Sequence, residues 1–184
     1  RRGMGATVLI EKIAGAAAEA GMPLDQVAQL ANEVAKNARS MGVALSSCTS
    51  PNIGYPTFEL PMDKIELGVG IHGERGRHRM PLATADAMTD MILEPIMQDL
   101  KLQAGNRVLA LISGLGGTPL HELYIVYRHL YHALAHLDIS IERRLIGNYV
   151  TSLDMAGCAI TLLVVTPELL ELWDAPVRTP ALSW

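Results

Sequence analysis

The sequence predicts an α/β fold, a mixed β-sheet flanked by helices. Three observations carry that reading. Segments with helical periodicity alternate with short apolar runs of strand length. Residues 107–112 form a near-continuous apolar run, the pattern of a strand buried on both faces. Glycine and proline clusters fall between these segments, where turns belong. With 184 residues, 49% of them hydrophobic and 18% charged, the chain is long enough for one domain with a real core. It is too apolar for a disordered segment.

Taken in order, residues 5–20 read as a helix stopped by Gly21 and Pro23. A second helix is expected over 24–40, with Val27, Leu30, Ala31, Val34 and Ala38 at helical spacing. The period then changes, and 42–46 reads as a strand leading into a turn-rich stretch at 50–54. A short strand is expected at 57–60. A better one is expected at 65–71, where Ile65, Leu67, Val69 and Ile71 alternate with other residues. Residues 73–81 read as a polar loop. Thr84 then caps a helix reaching about 102, which Pro95 should kink or split.

The apolar strand 107–112 ends in the turn 114–119, and a long helix starts at once. Its Leu120, Leu123, Tyr127, Leu130, Leu134 and Leu137 form a stripe spaced alternately three and four. Further strands are expected at 139–146 and 159–165, a short helix at 167–173, and an extended tail at 175–180. Because two helices precede any strand, 1–40 reads as a helical connector from something larger and 41–184 as the α/β domain.

Composition excludes several classes of function. Fifteen basic against nineteen acidic residues give a formal charge of −4, with no basic block for nucleic acid or an anionic membrane surface. No uninterrupted apolar run reaches the roughly 18–20 residues that a spanning helix needs. The alanine-rich start is broken by Glu11, Lys12 and Glu19, unlike a signal peptide. Two cysteines, Cys48 and Cys158, are too few for a disulfide framework and point to a reducing cytoplasm.

Several motifs bear on chemistry. Residues 68–73 spell G-x-G-x-x-G after a strand, but no helical period follows to receive a pyrophosphate, so the string does not read as a dinucleotide site. His72 within it has a better role. An imidazole between Gly70 and Gly73 can be approached closely by a small molecule and serve as base or nucleophile. A structural histidine held in a loop has the same spacing, and the residues leave both open. The 114–119 turn joins a strand to a helix, where amides can hold an anion, yet it lacks the Lys-Ser/Thr ending of a phosphate loop and reads first as a tight connection. His129, His132 and His136 share a helical face but have no carboxylate or cysteine near them in sequence, so a solvated face is expected and no metal site is assigned. Cys48 has no basic neighbour to activate it.

The segments 39–49 (Arg-Ser-Met-Gly-Val-Ala-Leu-Ser-Ser-Cys-Thr) and 70–74 (Gly-Ile-His-Gly-Glu) resemble the K subunit of dihydroxyacetone kinases. So do 116–120 with Glu122-Leu123-Tyr124, the segment 149–155, and the run 173–182. The likeness extends in order over nearly the whole chain and corresponds to the carboxyl-terminal half of that subunit. It implies an α/β fold with a mixed sheet, in a subunit that pairs as a homodimer.

It also implies that His72 binds dihydroxyacetone covalently, as a hemiaminal through Nε2. A carbonyl-selective bond separates a ketose from glycerol, which hydrogen bonds alone do poorly in a wet pocket. Captured substrate is also positioned for phosphoryl transfer. The resemblance places no cofactor on this chain. Mg-ATP, or Mg-ADP recharged by a phosphotransferase-system protein, belongs to a partner L subunit or domain. An acid/base aspartate and an assisting histidine belong to an amino-terminal domain and correspond to no residue here, so this chain alone should be inactive. Glu11, Arg75 and Pro95 depart from the family's usual residues. A non-catalytic coactivator that binds dihydroxyacetone, or a subunit for another ketose such as erythrulose, would retain His72 equally.

Overall fold

A computed structural model describes residues 3–72 and 74–184. Helix α1 (Ala6–Glu19) puts Leu9, Ile13 and Ala17 on one buried stripe. It stops where Gly21 takes a φ of 80°, a conformation that costs glycine little. The amides of Met22 and Gly21 then reach back to the carbonyls of Ala17 and Ala18, each at 3.0 Å, which satisfies the last turn. Helix α2 (Leu24–Asn37) follows Pro23 and buries Leu30 and Val34.

Strand β1 (Ala38–Ala44) begins three residues inside the expected helix. Ala38, Arg39 and Ser40 pair with Leu163, Leu162 and Thr161 of β6 (Gly157–Val164), so ladder bonds and burial override local helical propensity. The 40/41 boundary drawn from the sequence therefore runs through β1. Strand β2 (Lys64–Leu67) is shorter than expected because the chain turns at Gly68, with φ 78°. Residues 57–60 form no strand, and the neighbouring Thr49–Pro56 bridge stands isolated. Strand β3 (His78–Pro81) lies in the stretch read as a polar loop. It is an edge strand, paired on one side only, so it needs no apolar pattern.

Helix α3 (Ala85–Leu100) starts as expected, with Thr84 Oγ1 accepting from the Ala87 amide at 3.3 Å. Pro95 is accommodated inside a continuous helix. Strand β4 (Arg107–Gly114), helix α4 (Leu120–His136), strand β5 (Ser140–Gly147), β6 and helix α5 (Pro167–Asp174) follow. On α4 the stripe is buried at Leu123, Leu130 and Leu134, while its ends, Leu120 and Leu137, are about half exposed.

The six strands form one mixed sheet in the order β3-β2-β1-β6-β4-β5. Only β4 and β5 run parallel. Successive residues of β4 face opposite sides, as a pleat requires. Leu109 and Leu111 pack with α1, α2 and α5, whereas Val108, Ala110 and Ile112 pack with α3 and α4. The α/β class and the helix-flanked mixed sheet are thus as the sequence predicts.

Glu142 on β5 accepts from Arg107 Nη2 at 3.0 Å and from Ser140 Oγ at 2.8 Å. These bonds hold its carboxyl well below 4.5, at about 2. A depressed folded-state pKa stabilises the protein above pH 4.5 and loses that contribution as pH falls toward 2. Glu142→Gln should lower Tm at pH 7 by no more than about 4 °C. In acid titrations monitored by circular dichroism, the difference from the parent protein should close between pH 4.5 and pH 2.

Candidate functional site

Strands β1, β4 and β5 end, and β6 begins, at the same end of the sheet. The connecting loops meet there around a small apolar cluster of Ala44, Cys48, Val69, Leu115, Met155 and Ala159. The segment carrying His72 is pinned to this cluster from below. Val69 is buried, and Ile71 packs against the same cluster. The Ile71 carbonyl accepts from Ser152 Oγ at 3.0 Å, and Ser152 is only 3% exposed.

Beyond that anchor the His72 side chain rises into solvent, 79% exposed. Its amide donates to Glu74 Oε2 at 2.8 Å, and the Gly70 amide donates to the Glu74 carbonyl at 3.1 Å. Glu74 Oε1 lies 3.8 Å from His72 Nδ1. The carboxylate thus faces the Nδ1 side of the ring.

The loop is fixed on its far side by Glu66. This residue accepts from the Gly76 amide and from Arg79 Nε, each at 3.1 Å. A Cβ at Gly76 would stand 2.5 Å from Glu66 Cγ, so this position admits no side chain without rearrangement.

The final glycine of the G-x-G-x-x-G string, Gly73, lies outside the described residues. The chain after it enters β3 rather than a helix, which is not the context of a dinucleotide site. The 114–119 turn proves to be a tight connection. Gly116 has φ 122°, and a Cβ there would fall 1.8 Å from the Leu153 carbonyl oxygen. The Gly117 amide donates to the Met155 carbonyl at 2.9 Å, and the Ser152 amide to the Leu115 carbonyl at 2.7 Å. Thr118 Oγ1 donates to the Gly157 carbonyl at 2.8 Å and accepts from its amide at 2.7 Å.

His129, His132 and His136 of α4 do not converge. His129 Nε2 is 2.7 Å from Asp90 on α3, His136 Nδ1 is 2.7 Å from the His132 carbonyl, and the His132 ring packs edge-on to Tyr131. Cys48 is buried, with Sγ 3.3 Å from Thr57 Oγ1. Burial pushes the Cys158 thiol up to about 12, with the Glu122 carboxylate adding to the effect. Asp154 accepts from the Thr49 amide at 2.6 Å, and that bond lowers its pKa.

Sequence reasoning singled out His72 but not its supports: Ser152, Glu74 and Glu66. Glu74 and Ser152 sit inside the motifs quoted above, and only Glu74, beside Gly73, carried a local signal.

The Dak1 domain family model matches residues 1–181. The chain belongs to that family. It is 45% identical to the dihydroxyacetone-binding subunit DhaK of the PEP-dependent dihydroxyacetone kinase of Escherichia coli, over all of this chain and 58% of that protein. It is 42% identical to the DhaK subunit of a PTS-dependent dihydroxyacetone kinase of Listeria innocua, over 98% of this chain and 55% of that one. The chain thus spans about half the length of the curated relatives it matches.

Among solved structures, the dihydroxyacetone kinase operon co-activator Dha-DhaQ superposes with a TM-score of 0.90 at 30% identity, over 95% of this chain and 55% of that one. The dihydroxyacetone kinase of C. freundii superposes with a TM-score of 0.72 at 30% identity, over 91% of this chain and 30% of that one.

Two substitutions test the anchoring. Ser152→Ala should cost about 1 kcal/mol and speed amide exchange across 69–72 relative to the central strands, as read by hydrogen–deuterium exchange. Gly116→Ala forces two backbones apart and should cost at least about 2 kcal/mol in denaturant unfolding.

Proposed function

We propose that this chain is the substrate-capturing part of a dihydroxyacetone kinase, and that His72 holds dihydroxyacetone as a hemiaminal. The observation that carries the reading is the arrangement of His72: an exposed imidazole on a buried anchor, with Nδ1 3.8 Å from Glu74 Oε1. Nε2 adds its lone pair to the ketone carbon, the carbonyl π electrons move to oxygen, and the imidazole gives up its Nδ1 proton to solvent as the new oxygen takes one up, so the net charge is unchanged. No group leaves, so the adduct carries the full mass of one triose. The bond requires a carbonyl, which sets the ketose apart from glycerol before any shape discrimination.

The phosphate donor belongs elsewhere in this scheme. Gly116 and Gly117 of the 114–119 turn are used against 153–156, and the turn lacks a Lys-Ser/Thr ending. Both features favour a nucleotide held by a separate L subunit or domain, as Mg-ATP or as Mg-ADP recharged through a phosphotransferase-system protein. The complete subunit, working as a cytoplasmic homodimer with an added amino-terminal domain, supplies the acid/base groups. The described residues include no helix long and apolar enough to cross a membrane.

A second reading is a dihydroxyacetone-binding coactivator, and the higher TM-score against Dha-DhaQ than against the kinase favours it (0.90 against 0.72). Turnover separates the two. Full-length protein mixed with L subunit and either Mg-ATP or a phosphorylated phosphotransferase protein consumes dihydroxyacetone only if it is the kinase.

His72→Ala should remove the adduct in intact-protein mass spectra while leaving Tm within about 2 °C. An undiminished adduct in that variant would refute the assignment. Parallel incubations with dihydroxyacetone, erythrulose and glycerol should give adducts with the two ketoses and none with the triol.

A further inference from the structure

A cavity of about 260 Å³ lies between α3 and α4, and its lining does not include His72. Cys158 lies on its sheet side, Met88 and Ile92 of α3 line one wall, and Val126 of α4 lines the other. The hydroxyls on its walls are already used. Thr89 Oγ1 donates to the Ala85 carbonyl at 2.8 Å, and Thr118 Oγ1 bonds both polar groups of Gly157. Water in a cavity needs two to four polar partners, so this space favours apolar atoms.

A cavity of about 150 Å³ lined by aliphatic side chains takes benzene, so the present volume holds roughly ten carbons at the same filling. Glu122, from the first turn of α4, is the only ionisable carboxylate on the lining. Its amide donates to the Pro119 carbonyl, whereas its carboxylate has no hydrogen bond or ion pair among the described residues. Its negative charge reaches the floor, where it acts on Cys158. An acidic head group would meet repulsion there, whereas an ammonium or hydroxyl would meet an unused acceptor.

We propose that this cavity binds the alkyl chain of a small amphiphile, roughly eight to ten carbons long, whose amine or hydroxyl head donates to Glu122. The site does not depend on His72, so the two readings fail separately.

The test uses full-length protein titrated with decylamine, 1-decanol and decanoate below their aggregation limits. Binding is read by calorimetry and by the NMR shift of the Met88 methyl group, which lines the cavity. Saturable binding of one decylamine, at least tenfold tighter than decanoate, with the Met88 methyl shifted, is the expected result. Ala85→Phe, a lining position in the half-buried first turn of α3, takes up cavity volume and should weaken decylamine and decanol at least tenfold. Glu122→Gln, on an exposed position, should weaken decylamine at least tenfold while leaving decanol within twofold. Equal affinity for decanoate overturns the proposal. So does binding indifferent to both substitutions, or no binding by any of the three probes because another part of the protein fills the space.

Discussion

The close approach of the 114–117 turn to residues 152–157 is the contact on which the candidate site rests. Two backbones meet there without intervening side chains, and amides from each side donate to carbonyls of the other. A Cβ on Gly116 or Gly117 would collide with main-chain oxygen, so glycine sets the separation. That separation places Ser152 beneath the Ile71 carbonyl and thereby fixes the root of His72. A contact between β4 and the β5–β6 connection thus positions a side chain that follows β2, on the other side of the sheet's centre.

The anchor and the imidazole above it have opposite environments. Val69 and Ser152 are buried and hydrogen-bonded or packed, so the base of the loop resists displacement. The imidazole is open to solvent. The proposed reversible capture would use both conditions: a fixed ring for orientation, and access for exchange. Glu74 completes the arrangement by binding the His72 amide with one oxygen and facing Nδ1 with the other.

Much of this was legible in the residues. The buried run of β4, the cap at Thr84 and the leucine stripe of α4 each declare themselves through pattern, because burial on two faces or one stripe imposes a fixed spacing. Strand β3 did not, since an edge strand carries little apolar signal. The end of α2 was hidden as well: Ala38, Arg39 and Ser40 suit a helix locally, and only pairing with a strand 120 residues later makes them extended. His72 stood out among glycines, and the structure leaves its side chain exposed. Ser152, which arrives from far along the chain, is a partner that no local window shows.

The two outer strands share a further property. Strand β3 presents His78, Arg79 and Pro81, and strand β5 presents Glu142, Arg143 and Arg144. Proline offers no amide to a new strand, and clustered charge resists being desolvated against another sheet. Each rim of the sheet therefore discourages indiscriminate self-addition, which guards a protein with so apolar a centre against fibre-like growth during folding.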